Sequence, residues 1–238
     1  MQVPLRDRLA SALVNLLYPS RCPLCGMPSD SFRTSPVCSA CWTGIKPYGG
    51  PSCRVCSRPL VSGLASSCGE CIAETPHFKA AVCFGLYEGA VREAIHILKF
   101  SGVRRLSSPL AGLLLDKGLP PADFIVPVPL SAKGLRKRGF NQSALIGKHI
   151  SKYKGIPLLT GALVKTKETL PQVGLLKKER KANVRGAFAA RGNLKGKKII
   201  LLDDVMTTGA TVNECSKMLM KAGAEDVLVL TVARAGSL

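Results

Sequence analysis

The chain has 238 residues, of which 46% are hydrophobic, and it carries a formal net charge of +19. This length fits one large or two small domains, and the longest apolar runs fall far short of the ~20 residues that span a bilayer. We therefore expect a cytosolic protein that does not insert into membranes. Residues 1–20 predict an amphipathic packing helix rather than a signal peptide, because they contain neither an uninterrupted apolar stretch nor a small-residue cleavage site.

The next segment, residues 21–75, contains eight cysteines in four C-x-x-C pairs. The pairs are Cys22/Cys25, Cys38/Cys41, Cys53/Cys56 and Cys68/Cys71. In a reducing cytosol these thiols favour metal binding over disulfides, and two such pairs supply the four thiolates of a structural zinc site.

An internal repeat suggests how the cysteine pairs combine. The segment CPLCGMP at 22–28 aligns with CRVCSRP at 53–59, and each is followed by a second C-x-x-C pair. The repeat predicts two tandem zinc ribbons, with the first four cysteines on one Zn²⁺ ion and the last four on another. A cross-braced pairing (first with third, second with fourth) stays open, as does a single metal site. Cys83 and Cys215 lie outside this pattern, and we expect both to be small buried residues.

From about residue 79, strands and helices alternate, which predicts an α/β domain over residues 79–238. The basic, weakly periodic segment 160–190 predicts either a hairpin or a mobile loop. The predicted strands are 80–87, 123–130, 198–202 and 226–234, and the predicted helices are 90–100, 139–153 and 211–222.

Residues 199–211, IILLDDVMTTGAT, form the most informative segment of this domain. The apolar run predicts a buried strand that brings Asp203 and Asp204 to its carboxyl end, where ligands bind in open α/β sheets. The following Thr-Thr-Gly leads into a helix whose free N–H groups favour a phosphate. The two carboxylates would accept hydrogen bonds from the vicinal hydroxyls of a ribose. The set predicts a site for a 5-phosphorylated ribose, and the alternative is a plain turn with a helix cap and two solvated aspartates.

Positive charge is concentrated in residues 131–198, which contain eighteen Lys or Arg against two Glu. Such an excess indicates an anionic partner, either phosphates in a site or a nucleic-acid backbone, unless it is only a solvated basic face. Aromatic residues make up only 5% of the chain, so single-stranded DNA would bind mainly through its phosphates rather than by base stacking.

Short motifs along nearly the whole chain resemble those of one family, the ComF family of competence-associated proteins. The motifs are CPLCG (22–26), YEG-x2-R (87–92), LKF-x-G (98–102), VPVPL (126–130), RGFNQ (138–142), Q-x2-L (172–175), R-x2-N (180–183) and LLDDVMTTGAT (201–211). The resemblance implies a double zinc ribbon followed by a type I phosphoribosyltransferase fold. It also implies a phosphoribosyl pyrophosphate (PRPP) site with Mg²⁺.

The resemblance also implies individual roles. Asp203 and Asp204 would bind the ribose hydroxyls, and the loop after them would hold the 5-phosphate. The VPVPL turn would take the place of a pyrophosphate loop, which in this fold class often has a strained or cis peptide. Residues 170–188 would form a mobile catalytic loop. The implied PRPP-binding residues are Asp203, Asp204, Val205, Met206, Thr207, Thr208, Gly209, Ala210, Thr211, Val128, Leu130 and Ser131. The catalytic candidates are Arg136, Arg138, Gln172 and Arg180.

Three functions remain open on this basis. The first is a PRPP-binding protein that serves DNA uptake, with single-stranded DNA and competence proteins such as a DNA-uptake helicase as partners. The second is an active phosphoribosyltransferase, a glycosyltransferase of nucleotide metabolism or salvage. The third is a nucleic-acid-binding zinc protein with a vestigial site. Neither an acceptor nor a general acid or base can be identified, because the three histidines, His77, His96 and His149, are scattered.

Overall fold

The computed structural model describes residues 20–169 and 177–236. The predicted N-terminal helix and Gln172 lie outside these residues. Within them, no helix combines the length and the apolar character needed to cross a membrane.

The N-terminal part consists of two small units that repeat the same backbone pattern. Each begins with an isolated antiparallel bridge, Arg21 with Pro28 in the first unit and Ser52 with Pro59 in the second. Each ends with a short helix, α1 (Ser39–Thr43) or α2 (Gly69–Ala73). The bridges recur at the offset of the sequence repeat, so the internal repeat is a structural one.

The C-terminal part is built on a parallel sheet of four strands in the order β1-β6-β5-β2. These are β1 (Ala80–Leu86), β2 (Phe124–Pro127), β5 (Lys198–Met206) and β6 (Asp226–Arg234). A parallel bridge between Ile125 and Leu158 extends the sheet beyond β2. The carboxyl ends of all four strands therefore lie at one edge.

Helices cover both faces of this sheet. They are α3 (Gly89–Phe100), α4 (Ser107–Asp116), α5 (Ala132–Arg138), α6 (Gln142–Lys154), α7 (Lys177–Val184) and α8 (Ala210–Lys221), with a 3-10 turn at Arg104–Leu106. Strands β3 (Leu163–Lys165) and β4 (Phe188–Ala190) pair antiparallel and flank α7. Residues 160–190 thus contain an antiparallel strand pair, as the hairpin alternative predicts, but helix α7 lies between the two strands, which the sequence did not predict.

The central strands are buried on both faces, and side chains alternate between two cores. Ile200 and Leu202 of β5 pack with α3, α4 and α6 on one face, and Ile199 and Leu201 face α8 on the other. The two ribbons pack against different cores. Cys22 and Cys38 of the first ribbon belong to the first core, while Cys53, Cys56 and Cys68 of the second ribbon belong to the second core. Each ribbon is therefore anchored to a different face of the sheet.

Several predicted boundaries differ from the observed ones for physical reasons. Strand β5 runs on to Met206, because its pairing with β6 continues past the two aspartates. The helix predicted from residue 139 begins at Gln142, because Gly139, with φ 75°, ends the shorter helix α5. Strand β2 ends at Pro127, earlier than predicted, since Pro129 has no N–H for the ladder.

Candidate functional site

The eight paired cysteines form two compact groups in tandem order. In each group, Cys22/Cys25/Cys38/Cys41 and Cys53/Cys56/Cys68/Cys71, the sulfur atoms lie within 4.8 Å of one another. The distances from Cys25 Sγ to Cys38 Sγ and from Cys56 Sγ to Cys68 Sγ are both 3.6 Å. A tetrahedral ion with Zn–S bonds of about 2.3 Å places its ligands about 3.8 Å apart. Both groups therefore fit Zn²⁺, and the cross-braced pairing is excluded.

The chemistry of the thiols also fits a cation. Hydrogen bonds with the Cys25 and Cys38 thiols raise the pKa of Cys41 to about 12, so neighbouring sulfurs resist becoming thiolates together. A bound divalent ion removes this resistance, because it stabilises coordinating thiolates. With four cysteines around each ion, neither site has an open position for catalysis, and both are structural. Cys83 and Cys215 are buried, as predicted.

The segment from Met206 to Thr211 forms a tight loop that leads from β5 directly into α8. Its turn depends on Gly209, which has φ 82° and precedes the first residue of the helix. This left-handed backbone conformation favours glycine, and a Cβ atom added there would in addition displace the end of the Met206 side chain. The loop presents two threonines and the N-terminus of a 12-residue helix at the carboxyl edge of the sheet, which suits a phosphate group.

Asp203 and Asp204 precede this loop and lie near the carboxyl end of strand β5. Asp203 is half-buried, and its Oδ1 accepts hydrogen bonds from Ser143 Oγ at 3.1 Å and from the Asp204 N–H at 2.9 Å. Asp204 is only 2% exposed. The structure thus brings both predicted aspartates to the loop, but it also ties them to α6.

Lys99 at the end of α3 is the strongest partner of this acidic pair. Its Nζ lies 2.5 Å from Asp204 Oδ2. Burial alone would lower the pKa of Lys99, but the Asp204 carboxylate outweighs burial and raises it. Burial alone would likewise raise the pKa of Asp204, and the Lys99 charge lowers it instead. Lys99 belongs to the motif LKF-x-G, but its role could not be predicted from the sequence, because its partner is more than a hundred residues away.

A hydrogen-bonded chain connects one predicted arginine to the aspartates. Arg138 Nη1 donates to Gln142 Oε1 at 2.5 Å, and Gln142 Nε2 donates to Asp204 Oδ1 at 3.4 Å. Arg138 also lies over the Phe100 ring, 5.6 Å from its centroid. The site therefore contains two cations, Lys99 and Arg138, and the glutamine of RGFNQ was missed as a site residue for the same reason as Lys99.

The VPVPL turn differs from its predicted role at one residue. The Val128 N–H donates to Leu202 O at 2.9 Å, and Val128 O accepts from Asn141 Nδ2 at 2.9 Å. Val128 is therefore engaged in the sheet and cannot donate to a diphosphate in this conformation. Leu130 and Ser131 remain as predicted donors. The turn has no cis peptide, since the one cis bond within the described residues is Ser35–Pro36.

The remaining catalytic candidates are not gathered at the aspartates. Arg136 is exposed on α5, and Arg180 lies on α7, which packs against α8. Two of the histidines fit their expected packing or surface roles: His149 Nε2 is 3.2 Å from Ser107 Oγ, and the His96 ring packs against Phe100 at a tilt of 43°.

A cavity of about 410 Å³ lies between the second ribbon, α7 and the start of α8. Thr208 and Gly209 form part of its wall, together with Lys181 and Asn213. Asp203 and Asp204 do not line the cavity. The cavity therefore adjoins the loop from Met206 to Thr211, which we call the phosphate loop, on the side away from the acidic pair.

Comparison with known proteins identifies the family of this chain. A double zinc ribbon domain model matches residues 13–72, and a phosphoribosyl transferase domain model matches residues 102–238. Competence protein F of Haemophilus influenzae is 34% identical, with 84% of this chain and 90% of the relative covered. The chain belongs to the ComF family. The fold class predicted from the sequence is thereby confirmed.

Two further members of the ComF family extend the comparison. DNA utilization protein YhgH of Escherichia coli K12 is 32% identical over 92% of this chain and 99% of the relative. Competence protein ComFC of Streptococcus pneumoniae is 28% identical over 90% of this chain and 100% of the relative. The similarity therefore extends through both the ribbons and the sheet domain.

The acidic pair predicts a pH dependence for binding a ribose ligand. Burial, followed by the charge of Asp204, raises the pKa of Asp203 to about 7. An ionised Asp203 would accept a hydrogen bond from a ribose hydroxyl better than a protonated one, so the affinity for a ribose ligand should fall by up to about tenfold per pH unit below this pKa. For folding the sign is opposite: the raised pKa stabilises the native state at low pH, and this stabilisation is lost as the pH rises toward 7.

The measurement is the dissociation constant of ribose 5-phosphate from about pH 5 to about pH 9, in wild type and in Asp203→Asn. The variant should show only the ligand's own second phosphate ionisation, near pH ~6. Identical profiles in the two proteins would remove Asp203 as the titrating group.

Proposed function

We propose that this ComF-family chain binds PRPP or ribose 5-phosphate with Mg²⁺ and uses the site in DNA uptake or DNA utilisation in the cytosol. The observation that carries the proposal is the joint placement of a phosphate loop and an acidic pair at one sheet edge. A phosphate at the start of α8 and a ribose diol on Asp203 and Asp204 match the two ends of a phosphorylated ribose. The names of the relatives, competence protein and DNA utilization protein, support the biological setting.

Magnesium enters this proposal through the same residues. Asp203 and Asp204 carry the carboxylate oxygens that Mg²⁺ prefers, and a diphosphate supplies the rest of its coordination. When bound, the ion would neutralise diphosphate charge. Lys99 and Arg138 would add positive charge around the diphosphate from the protein side.

A second candidate function is turnover of PRPP by an active phosphoribosyltransferase. It is favoured by Lys99 and Arg138, because stabilising a departing pyrophosphate requires positioned positive charge more than a strong base. The experiment is a screen for pyrophosphate release from PRPP with nucleobases, amines and nucleic acids as acceptors. Release that depends on one acceptor class and disappears in Asp203→Asn supports turnover. Binding of PRPP without release of pyrophosphate for any acceptor would exclude turnover and support only the ligand-binding function. A vestigial site is disfavoured, since the loop, the acidic pair and Lys99 are all in place.

The DNA part of the proposal concerns the cations near the ligand edge. Lys133, Arg136 and Lys137 are exposed on α5, directly after the carboxyl end of β2. At the opposite, amino end of β5, Lys197 and Lys198 lie 3.8 Å from Asp123 and Glu225 respectively. The cations of the basic segment therefore lie at both ends of the sheet. We propose that those on α5 contact single-stranded DNA. A competence helicase could deliver the strand to this surface.

Binding of single-stranded DNA should weaken steeply with salt, and replacing the three α5 cations with serine should flatten that dependence. Each lost phosphate contact lowers the slope of log K against log salt by about 0.7, so the triple variant should lose about two units. The matched control replaces Lys195, Lys197 and Lys198 and should change the slope less, because two of these are already ion-paired. A flat salt response in wild type, or equal losses in the two triple variants, contradicts the assignment.

A further inference from the structure

Arg234, the last residue of β6, is a buried cation that the proposed function leaves unexplained. It is only 2% exposed, and burying a guanidinium is costly unless its donors are satisfied. Its Nη1 lies 2.9 Å from Met206 O and 2.8 Å from Ala235 O, and it also contacts Thr207 O. Its Nε donates to Cys56 O at 3.1 Å. One side chain thus joins three parts of the molecule: the loop, the end of β6 and the second zinc ribbon.

The two loop carbonyls determine where the loop's N–H groups point. In a trans peptide the C=O and the following N–H point in opposite directions. Holding the carbonyls of Met206 and Thr207 toward the buried guanidinium therefore turns the N–H groups of Thr207 and Thr208 the other way. Thr207 and Thr208 are themselves half-buried, and a phosphate bound by these N–H groups would lie on the side of the loop opposite Arg234. A second bond, from Ala235 N to Met206 O at 2.9 Å, holds the first carbonyl in the same direction.

The contact with Cys56 links this arrangement to the metal centre. Cys56 is one of the four thiols of the second group and is itself buried. Its carbonyl can accept from Arg234 only while the second ribbon keeps its folded turn, which also places Ser57 Oγ 2.6 Å from Ala81 O.

We propose that Arg234 is a positioning residue for the phosphate loop, and that it transmits the folded state of the second zinc ribbon to that loop. The inference rests on the proposed function, because it assigns Arg234 a part in binding the 5-phosphate. Arg234 does not touch the ligand. It fixes the direction of the peptide groups that do.

The test compares two probes that use different parts of the site. Ribose 5-phosphate would depend on the N–H groups of the loop, whereas inorganic pyrophosphate with Mg²⁺ would depend on the acidic pair and on the turn after β2. In Arg234→Lys, which keeps the charge but cannot reach all the carbonyls, the affinity for ribose 5-phosphate should fall at least tenfold. Pyrophosphate affinity should stay within twofold, and the zinc content should be unchanged. Arg234→Met should lose more of the ribose 5-phosphate affinity if it folds.

The matched control is Arg105→Lys. Arg105, in the 3-10 turn of the sheet domain, also connects that domain to a ribbon, but to the first one: its Nε donates to Ser35 O at 3.2 Å. It should leave both affinities within twofold. Unchanged ribose 5-phosphate binding in a folded Arg234→Lys, or a parallel loss of both probes, overturns the proposal.

A ligand-free measurement separates this proposal from the proposed function. The amide resonances of Thr207 and Thr208 should shift in Arg234→Lys and stay in place in Arg105→Lys, whether or not a sugar phosphate binds. Failure of wild type to bind ribose 5-phosphate removes the proposed function. Unshifted amides in Arg234→Lys remove the positioning role.

Discussion

Replacing Cys56 with serine should lower the zinc content from the expected two ions per chain to one, and it should weaken binding of ribose 5-phosphate. Replacing Cys25 with serine should lower the zinc content equally and leave binding largely intact. The difference follows from the contacts: Cys56 O accepts from Arg234, which holds the phosphate loop, whereas Cys25 is exposed in the first ribbon.

The stability effect of losing a zinc site should be large. Metal binding supplies about 10–16 kcal/mol in isolated zinc-finger peptides, comparable to the roughly 5–15 kcal/mol that stabilises a whole domain. The ribbons are short and have little core of their own, so each should lose its fold without its ion. Metal analysis gives the zinc content, and thermal unfolding with a chelator gives the stability. One zinc ion in wild type would mean that four of the cysteines are misassigned.

Replacing Asp203 and Asp204 together with asparagine should abolish binding of PRPP. Hydrogen bonds to charged groups contribute about 1.5–3 kcal/mol each, so losing two of them predicts a loss of at least about 100-fold in affinity. The measurement is the dissociation constant for PRPP with Mg²⁺ in both proteins. Unchanged affinity in the double variant contradicts the ligand assignment.

The double variant also affects stability through Lys99. Its Nζ is 2.5 Å from Asp204 Oδ2, and removing one partner of a buried pair costs about 3–5 kcal/mol. Lys99 retains some solvent contact, so we expect the lower end of that range. Adding Lys99→Met should restore part of the stability without restoring binding. The matched control is Asp226→Asn, which breaks an exposed pair with Lys79 at 2.7 Å and should change stability by less than about 1 kcal/mol.

The parts of the fold that could be predicted from the sequence are those encoded locally. Strand β6 and helix α8 match their predicted ranges within one residue, because an apolar strand and a helix with a glycine start both have short-range signals. The assignment of the eight cysteines to two groups could also be predicted, since a repeat of C-x-x-C pairs leaves few ways to combine the pairs.

The parts that could not be predicted depend on contacts between distant residues or on atypical patterns. Helix α4 contains Pro109, which is tolerated because it lies in the first turn, and it is apolar on too many sides to show an amphipathic period. Strands β3 and β4 have three residues each and pair across more than twenty others. In the site, the partners Lys99–Asp204 and Arg234–Cys56 are separated by long stretches of chain, so neither could be inferred from spacing.

The most direct test of the central claim is an NMR titration of the amide resonances with ribose 5-phosphate. The account predicts that the largest shifts fall on residues 207–211, with further shifts at Asp203 and Asp204, and that they saturate at one ligand per chain. Shifts confined to the exposed lysines and arginines of residues 131–198, or to the cavity beside Lys181 and Asn213, would contradict it.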